Sequence, residues 1–119
     1  MIVAIVFLMS TLFGGSSPAQ MKIDVEKHVQ DPTRAAQVVE ILHEIEEELE
    51  RYASDLSDIT SRAEELNGTF ETSPDQYAEE FQKVRSAMVR ARTRLLDLRF
   101  EMKDHMTREE WEAVFPAPD

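Results

Sequence analysis

At 119 residues the chain fits one small domain, and its 24 acidic against 13 basic side chains give a net charge of -11. Such a surface repels phosphate, which disfavours nucleic acid and anionic lipid as partners. The chain has no cysteine, which excludes disulfides, thiolate metal sites and a lipid-anchored cysteine.

Residues 1–19 predict a secretory signal peptide. Residues 2–13 are nearly all apolar, and two glycines and two serines follow them. Ser17 and Ala19 are small residues at the third and first positions before a possible cleavage site, which predicts cleavage between Ala19 and Gln20. A cleaved signal peptide predicts a periplasmic or secreted protein. As a helix, the apolar run reaches about 18 Å of the roughly 30 Å hydrocarbon core. No Lys or Arg precedes the run, so an uncleaved anchor and a buried cytosolic helix are the alternatives. After cleavage we expect no stable membrane insertion.

Residues 20–119 predict a single all-α domain dominated by two long helices. Asp31 and Pro32 form a helix start, and Gly68 suits the left-handed position after the end of a helix over residues 32–67. Ser73 and Gln76 form a capping box for a second helix over residues 74–105. In both helices the apolar residues recur at alternating intervals of four and three, which is typical of coiled-coil packing. In the second helix these residues are Tyr77, Phe81, Val84, Met88, Ala91, Leu95, Leu98 and Met102.

The short connection between these helices predicts an antiparallel hairpin. Folding about it places Leu66 opposite Tyr77, Ile59 opposite Val84 and Ile45 opposite Leu98. The first helix is mostly acidic and the second is mostly basic. The same register therefore predicts three ion pairs that flank the seam between the two helices. These pairs are Glu46 with Arg99, Glu48 with Arg94, and Arg62 with Glu80.

A short third helix is predicted over residues 108–115. Thr107 and Glu110 form its capping box, and Met106 and Trp111 occupy the positions of a hydrophobic staple. Pro116 and Pro118 end the helix. We expect a small core at the open end of the hairpin, built by Val25, Val29, Val39, Ile41, Trp111, Val114 and Phe115. The pattern leaves residues 20–30 open between helix and strand.

The segment Met106-Thr107-Arg108-Glu109-Glu110-Trp111 resembles the Leu-Thr-x-x-Gln motif of small periplasmic stress and heavy-metal-resistance proteins. That resemblance implies an elongated helical hairpin forming a dimer that holds unfolded clients or modulates envelope-stress sensors. Some members of the family respond to metals. The chain departs from the pattern, since Met106 replaces Leu, Glu110 replaces Gln and the motif occurs once. Thr107 and Glu110 carry over as structural positions.

Two clusters are candidate metal sites. His43, Glu46 and Glu47 lie within one helical turn and could hold a borderline divalent ion. His105 lies between Met102 and Met106, a set suited to a soft ion such as Cu(I). Because glutamate is frequent in the first helix and both methionines fit core positions, we expect packing rather than a bound cofactor at both places.

Val89, Leu96 and Phe100 form a stripe on the second helix that the hairpin seam does not use. With Trp111 and Phe115 they are candidate partner-binding residues, in a homodimer or against a protein client. The alternative is that the C-terminal helix covers Phe100. The five arginines at positions 85 to 99 are interpreted as a solvated face.

The sequence contains no nucleophile elbow and no two-histidine zinc helix, so we predict that the protein is not an enzyme. The function hypothesis is a periplasmic interaction protein, chaperone-like or stress-modulatory. A periplasmic metal-binding or metal-sensing protein and a structural coiled-coil adaptor are the alternatives.

Overall fold

The structure is a computed structural model that describes residues 5, 8, 9, 12–14 and 16–116. Within these residues the chain is all-helical, which confirms the predicted class. The helices are α1 (Pro18–His28), α2 (Pro32–Asn67), α3 (Pro74–Asp104) and α4 (Arg108–Val114). The backbone is also helical at Ile5, Leu8, Met9, Leu12 and Phe13. Part of the predicted signal segment, and Pro118, lie outside the described residues.

Among the described helices, none combines the length and apolar character needed to cross a bilayer.

Helix α1 occupies the segment that the sequence pattern left open. The Ser17 hydroxyl accepts a hydrogen bond from the Gln20 amide at 3.1 Å, and Pro18 is the first helical residue. Met21 and Val25 are fully buried. The helix is continuous across the predicted cleavage site between Ala19 and Gln20.

The ends of α2 and α3 follow their capping residues, with one correction. Asp31 accepts from the Thr33 amide, and Ser73 with Gln76 forms the expected capping box. Gly68 is wrongly predicted as left-handed, because its φ of -82° lies in the right-handed region. The last carbonyls of α2 are instead satisfied by the hydroxyls of two loop residues, Thr69 and Thr72, which donate to Glu65 and Leu66.

Helices α2 and α3 pack against each other along their lengths. Beside the loop, Tyr77 Oη donates to Asn67 Oδ1 at 2.8 Å. Farther along, Arg90 pairs with Asp55, and Arg94 Nη2 lies 3.6 Å from Glu44 Oε1.

The three predicted flanking pairs are wrong in detail. Glu46 pairs with Lys22 of α1. Arg62 and Glu80 each pair with a neighbour in their own helix, Glu65 and Lys83. Glu48 Oε1 lies 3.8 Å from Arg90 Nε, one turn away from the expected Arg94. Long charged side chains have several acceptors in reach, so the charge pattern does not fix their pairing.

The seam of α3 also differs from the prediction over its first half. Ala91, Leu95, Leu98 and Met102 are fully buried, as the repeat predicts. Before Ala91, however, the buried positions are Ala87 and Glu80, while the predicted residues Phe81, Val84 and Met88 are 73 %, 36 % and 39 % exposed. A straight α-helix drifts by about 20° per heptad against a 3.5-residue repeat, so the buried face rotates away from the apolar positions.

The core is concentrated where α1, α2, α3 and α4 meet. The predicted small core is present there, with Val25, Val29, Ile41 and Val114 buried and Val39, Trp111 and Phe115 packed against it. The described residues of the N-terminal segment join the same cluster. Its members from that segment are Leu8, Met9 and Phe13, with Ile5 and Leu12 packed alongside.

Candidate interaction surfaces

The predicted C-terminal motif is a docking point between helices. Thr107 and Glu110 form the capping box of α4, with the Thr107 amide donating to Glu110 Oε1 at 2.9 Å. The same carboxylate is buried and accepts from the Gln30 amide at 3.0 Å and from Arg34 Nη1 at 2.6 Å. Arg34 Nη1 also donates to the His105 carbonyl at 3.0 Å. These bonds fasten α4 to the junction between α1 and α2.

Hydrogen bonding from Arg34 lowers the pKa of Glu110 to about 2, followed in effect by the amides of Thr107 and Gln30, while desolvation opposes the shift. A carboxyl with this pKa stays ionised at neutral pH and cannot serve as a general acid. The arrangement therefore fits a structural ion pair.

The sequence identified Thr107 and Glu110 but not their partners. Arg34 and Gln30 lie roughly 75 to 80 residues away along the chain. The capping pattern describes only bonds within four residues, so it contains no signal for these contacts.

A second cluster is formed by Arg99, Trp111 and Phe115, which we call the aromatic seat. The rings of Trp111 and Phe115 lie 4.4 Å apart between centroids, and the Arg99 guanidinium carbon lies 5.0 Å from the Trp111 centroid. Such spacings suit aromatic and cation–π contacts. Both aromatic residues, predicted as partner-binding, are half-buried. Arg99 was predicted only as part of a solvated face.

The exposed large apolar side chains of the described chain concentrate on α3 and the loop before it. Six of seven lie there, the exception being Ile23 of α1. The six are Phe70, Phe81, Val84, Met88, Val89 and Phe100. Among the described residues, the exposed apolar surface of the two long helices therefore lies on α3 rather than on α2.

Two separate surfaces arise on α3. Tyr77, Phe81, Val84 and Met88 recur at intervals of four, three and four, and we call them the side face. The predicted stripe of Val89, Leu96 and Phe100, here the outer stripe, faces farther from the seam. Val89 is 42 % and Phe100 55 % exposed, and Leu96 is half-buried. Phe100 is therefore not covered by α4.

The first candidate metal cluster lies beside a lysine. Lys22 Nζ is 3.3 Å from His43 Nδ1 and also pairs with Glu46, while Glu47 is exposed. At the second cluster His105 ends α3, Met102 is fully buried and Met106 packs on the core. No group of three possible ligands from His, Cys, Asp and Glu converges in the part of the chain described.

The groove between α2 and α3 beyond the core is lined by charged residues as well as Ile59 and Ala87. Asp55 and Arg90 pair within it. This pair neutralises one charge of each sign within the groove.

The chain matches no protein-family model, curated protein or solved structure. The resemblance of residues 106–111 to the Leu-Thr-x-x-Gln motif therefore stays a prediction.

Proposed function

We propose that the protein is a non-enzymatic periplasmic interaction protein, chaperone-like or stress-modulatory, which binds apolar segments of client proteins along the side face of α3. In this proposal α2 and α3 form an antiparallel hairpin, a rod that displays the side face along its length. The compartment rests on the signal-like N-terminal pattern. The observation that carries the function is the exposure of Phe81, Val84 and Met88.

The exposure of Phe81 is large enough to affect binding. A phenylalanine carries roughly 200 Å² of surface. Since Phe81 is 73 % exposed, covering it removes on the order of 150 Å² from water, which at about 25 cal/mol per Å² is an upper bound of about 3–4 kcal/mol before the costs of association are subtracted. Val84 and Met88 extend the same surface by two turns, which suits an elongated client segment rather than a point contact.

Charge indicates which client segments bind best. Arg85 and Arg92 are exposed beside the side face, and neither forms a salt bridge with another described residue. Acidic side chains next to apolar ones on a client would pair with these arginines and speed its association. We therefore expect preference for apolar segments flanked by Asp or Glu.

Aggregation of a heat-unfolding enzyme, followed by light scattering, tests this proposal. The wild-type protein should suppress aggregation, and the double variant Phe81→Asp, Met88→Asp should require about tenfold more protein for the same effect, because a buried unpaired charge opposes binding. Ile23→Asp is the matched control, since Ile23 is a 58 % exposed apolar residue on α1. Equal activity of all three proteins, or no activity in the wild type, would contradict the proposal.

A further inference from the structure

The apolar N-terminal segment occupies a defined place on the helical body. Leu8, Met9 and Phe13 are 5 %, 7 % and 4 % exposed and belong to the main hydrophobic cluster. Their backbone is helical. The described residues of this segment are thus helical and pack against the body.

At the C-terminal end of this segment, Leu12 and Phe13 contact the aromatic seat. The ring of Phe13 lies 6.3 Å from that of Phe115 between centroids. Arg99 Nε donates to the Leu12 carbonyl at 3.1 Å while its guanidinium also lies over Trp111. Arg99 therefore contacts both Trp111 of the aromatic seat and the main chain of the N-terminal segment bound there, which we call the occupant.

These contacts depend little on the identity of the occupant. The last carbonyls of any helix lack partners within the helix and accept from an external donor, as Leu12 does from Arg99. The side-chain contacts are apolar and non-directional. A short helix with apolar residues on one face would meet the same requirements.

The occupant is joined to the body through an exposed turn. Gly14 is exposed and has a φ of +71°, in the left-handed region that commonly ends helices. Among the described residues, no atom outside its immediate neighbours lies within 4 Å of the position of an added Cβ. The predicted cleavage after Ala19 lies just beyond this turn, and cleavage there would separate the occupant from the body.

We propose that the aromatic seat and the adjoining core surface form a binding site for a short apolar helix of a partner protein, with the N-terminal segment that carries Leu8, Met9, Leu12 and Phe13 as its exchangeable intramolecular ligand. This site is distinct from the side face of α3. Removal of residues 5–13 by processing, or their displacement, opens it. The partner is recognised by three buried apolar side chains and by the carbonyl at its helix end.

Peptide exchange on the full chain tests this site. A protease recognition sequence is inserted after Gly14, the folded protein is cut, and a fluorescent peptide of residues 2–14 is added. We expect anisotropy to report saturable binding, and the same peptide with Leu8→Asp and Phe13→Asp to bind at least about tenfold more weakly, because the charges would be buried unpaired. An unrelated peptide with apolar residues at the positions equivalent to 5, 8, 9, 12 and 13 should compete.

The remaining outcomes contradict the proposal. Loss of helicity on cutting would make residues 5–13 a permanent part of the core. Equal binding of the Asp-substituted peptide would reduce the effect to non-specific adhesion, and failure of the unrelated peptide to compete would restrict the site to this chain's own segment. The assay contains no unfolding client, so its failure leaves the side face of α3 unaffected, and the aggregation assay decides that surface separately.

Two variants of the uncut chain check the geometry. Because the protein has no cysteine, Phe13→Cys combined with Phe115→Cys introduces its only thiols. A short bifunctional crosslinker should join this pair within one molecule, while Phe70→Cys with Phe115→Cys should not, because Arg34 at the start of α2 contacts α4 and the 36-residue α2 places Phe70 roughly 50 Å farther on. Crosslinking of both pairs, or of neither, would contradict the observed seating.

Discussion

Arg34 Nη1, in the first turn of α2, lies 2.6 Å from Glu110 Oε1, at the third position of α4. The Glu110 carboxylate also completes the capping box of its own helix. Glu110 therefore bonds to the starts of both α2 and α4. The Gln30 amide, just before α2, donates to the second oxygen at 3.0 Å. Docking of the C-terminal helix therefore uses one ionised carboxylate beside the apolar contacts of Val114, Trp111 and Phe115, and the contribution of the carboxylate can be measured.

Acid should weaken this docking. The pKa of Glu110 is lowered from 4.5 to about 2 in the folded protein. A group with a lowered folded pKa contributes stability above its unfolded pKa and loses it as pH falls through the folded value. The contribution of Glu110 should thus be complete above about pH 4.5 and vanish as the pH falls toward about 2. Denaturant unfolding of wild type and Glu110→Gln should give free energies that differ at neutral pH and converge across this window. A constant difference would contradict the assignment.

Substitution can separate the cap from the ion pair. Glu110→Gln retains an acceptor for the Thr107 amide but removes the charge facing Arg34, and we expect a loss of about 1–3 kcal/mol. Glu110→Ala also removes the capping acceptor and should cost about 1 kcal/mol more. Glu109→Gln, at an exposed neighbour in the same turn, should change the free energy of unfolding by less than about 0.5 kcal/mol. Thermal or denaturant melts measure all three, and equal values for the two Glu110 variants would show that capping contributes nothing.

Helix ends were more predictable than helix faces. Asp31, Ser73 and Thr107 act within three residues of themselves, so their side chains determine where each long helix and α4 begin. The buried face of α3 depends on how two long helices cross, which a heptad pattern does not contain. Glu80 and Ala87 consequently occupy buried positions that the apolar pattern assigned to their neighbours Phe81 and Met88.

The residues of the aromatic seat were partly predictable for the same reason. Trp111 was identified from the hydrophobic staple, and Phe115 as part of the short helix that follows it. The role of Arg99 was missed, since its contacts with Leu12 and Trp111 join parts of the chain far apart in sequence. The N-terminal apolar run was predicted as a signal peptide. Its apolar pattern does not predict that it packs against the aromatic seat.

The rotated seam of α3 can be tested by adjacent substitutions. Ala87 is 6 % exposed and faces α2, so Ala87→Leu should overpack the interface and lower the free energy of unfolding by about 1–3 kcal/mol. Met88→Ala, one residue later and 39 % exposed, should change it by less than about 1 kcal/mol, whereas a buried methionine would lose about 2–5 kcal/mol. Denaturant titration of both variants decides the point. The heptad seam predicted from the sequence requires the larger effect at residue 88, so that result would restore it.

Metal binding stays an alternative with a defined test. Lys22 lies beside His43 and pairs with Glu46, so a cation entering there must displace an ammonium group. Calorimetry with Zn²⁺ on wild type and His43→Ala, and with Cu(I) on wild type and His105→Ala, should show no binding tighter than about micromolar, because no three possible ligands from His, Cys, Asp and Glu converge among the described residues. Lys22→Ala is an informative variant, since removing the ammonium group should strengthen any site at His43. A nanomolar, histidine-dependent site would favour the metal-binding alternative.

The outer stripe of Val89, Leu96 and Phe100 should contact another chain. Phe100 is 55 % exposed, and its only described aromatic or cationic neighbour is Arg99, whose guanidinium carbon lies 5.7 Å from the ring centroid. Phe100→Asp should therefore shift the stability of an isolated subunit by no more than about 0.5 kcal/mol. In a contact with a second copy, the same charge would be desolvated and should abolish the dimer.

Sedimentation of wild type and Phe100→Asp, paired with thermal melts, separates these cases. Thr93→Asp is the control, because it adds the same charge at an exposed polar position on the same helix. Loss of the dimer in Phe100→Asp alone, with helicity retained, assigns the outer stripe to self-association. If sedimentation finds the wild type monomeric, client holding by Phe100→Asp becomes the deciding measurement, since a client-binding stripe requires its loss. Unchanged holding by a monomer would exclude the outer stripe from binding and leave the side face of α3 as the client surface.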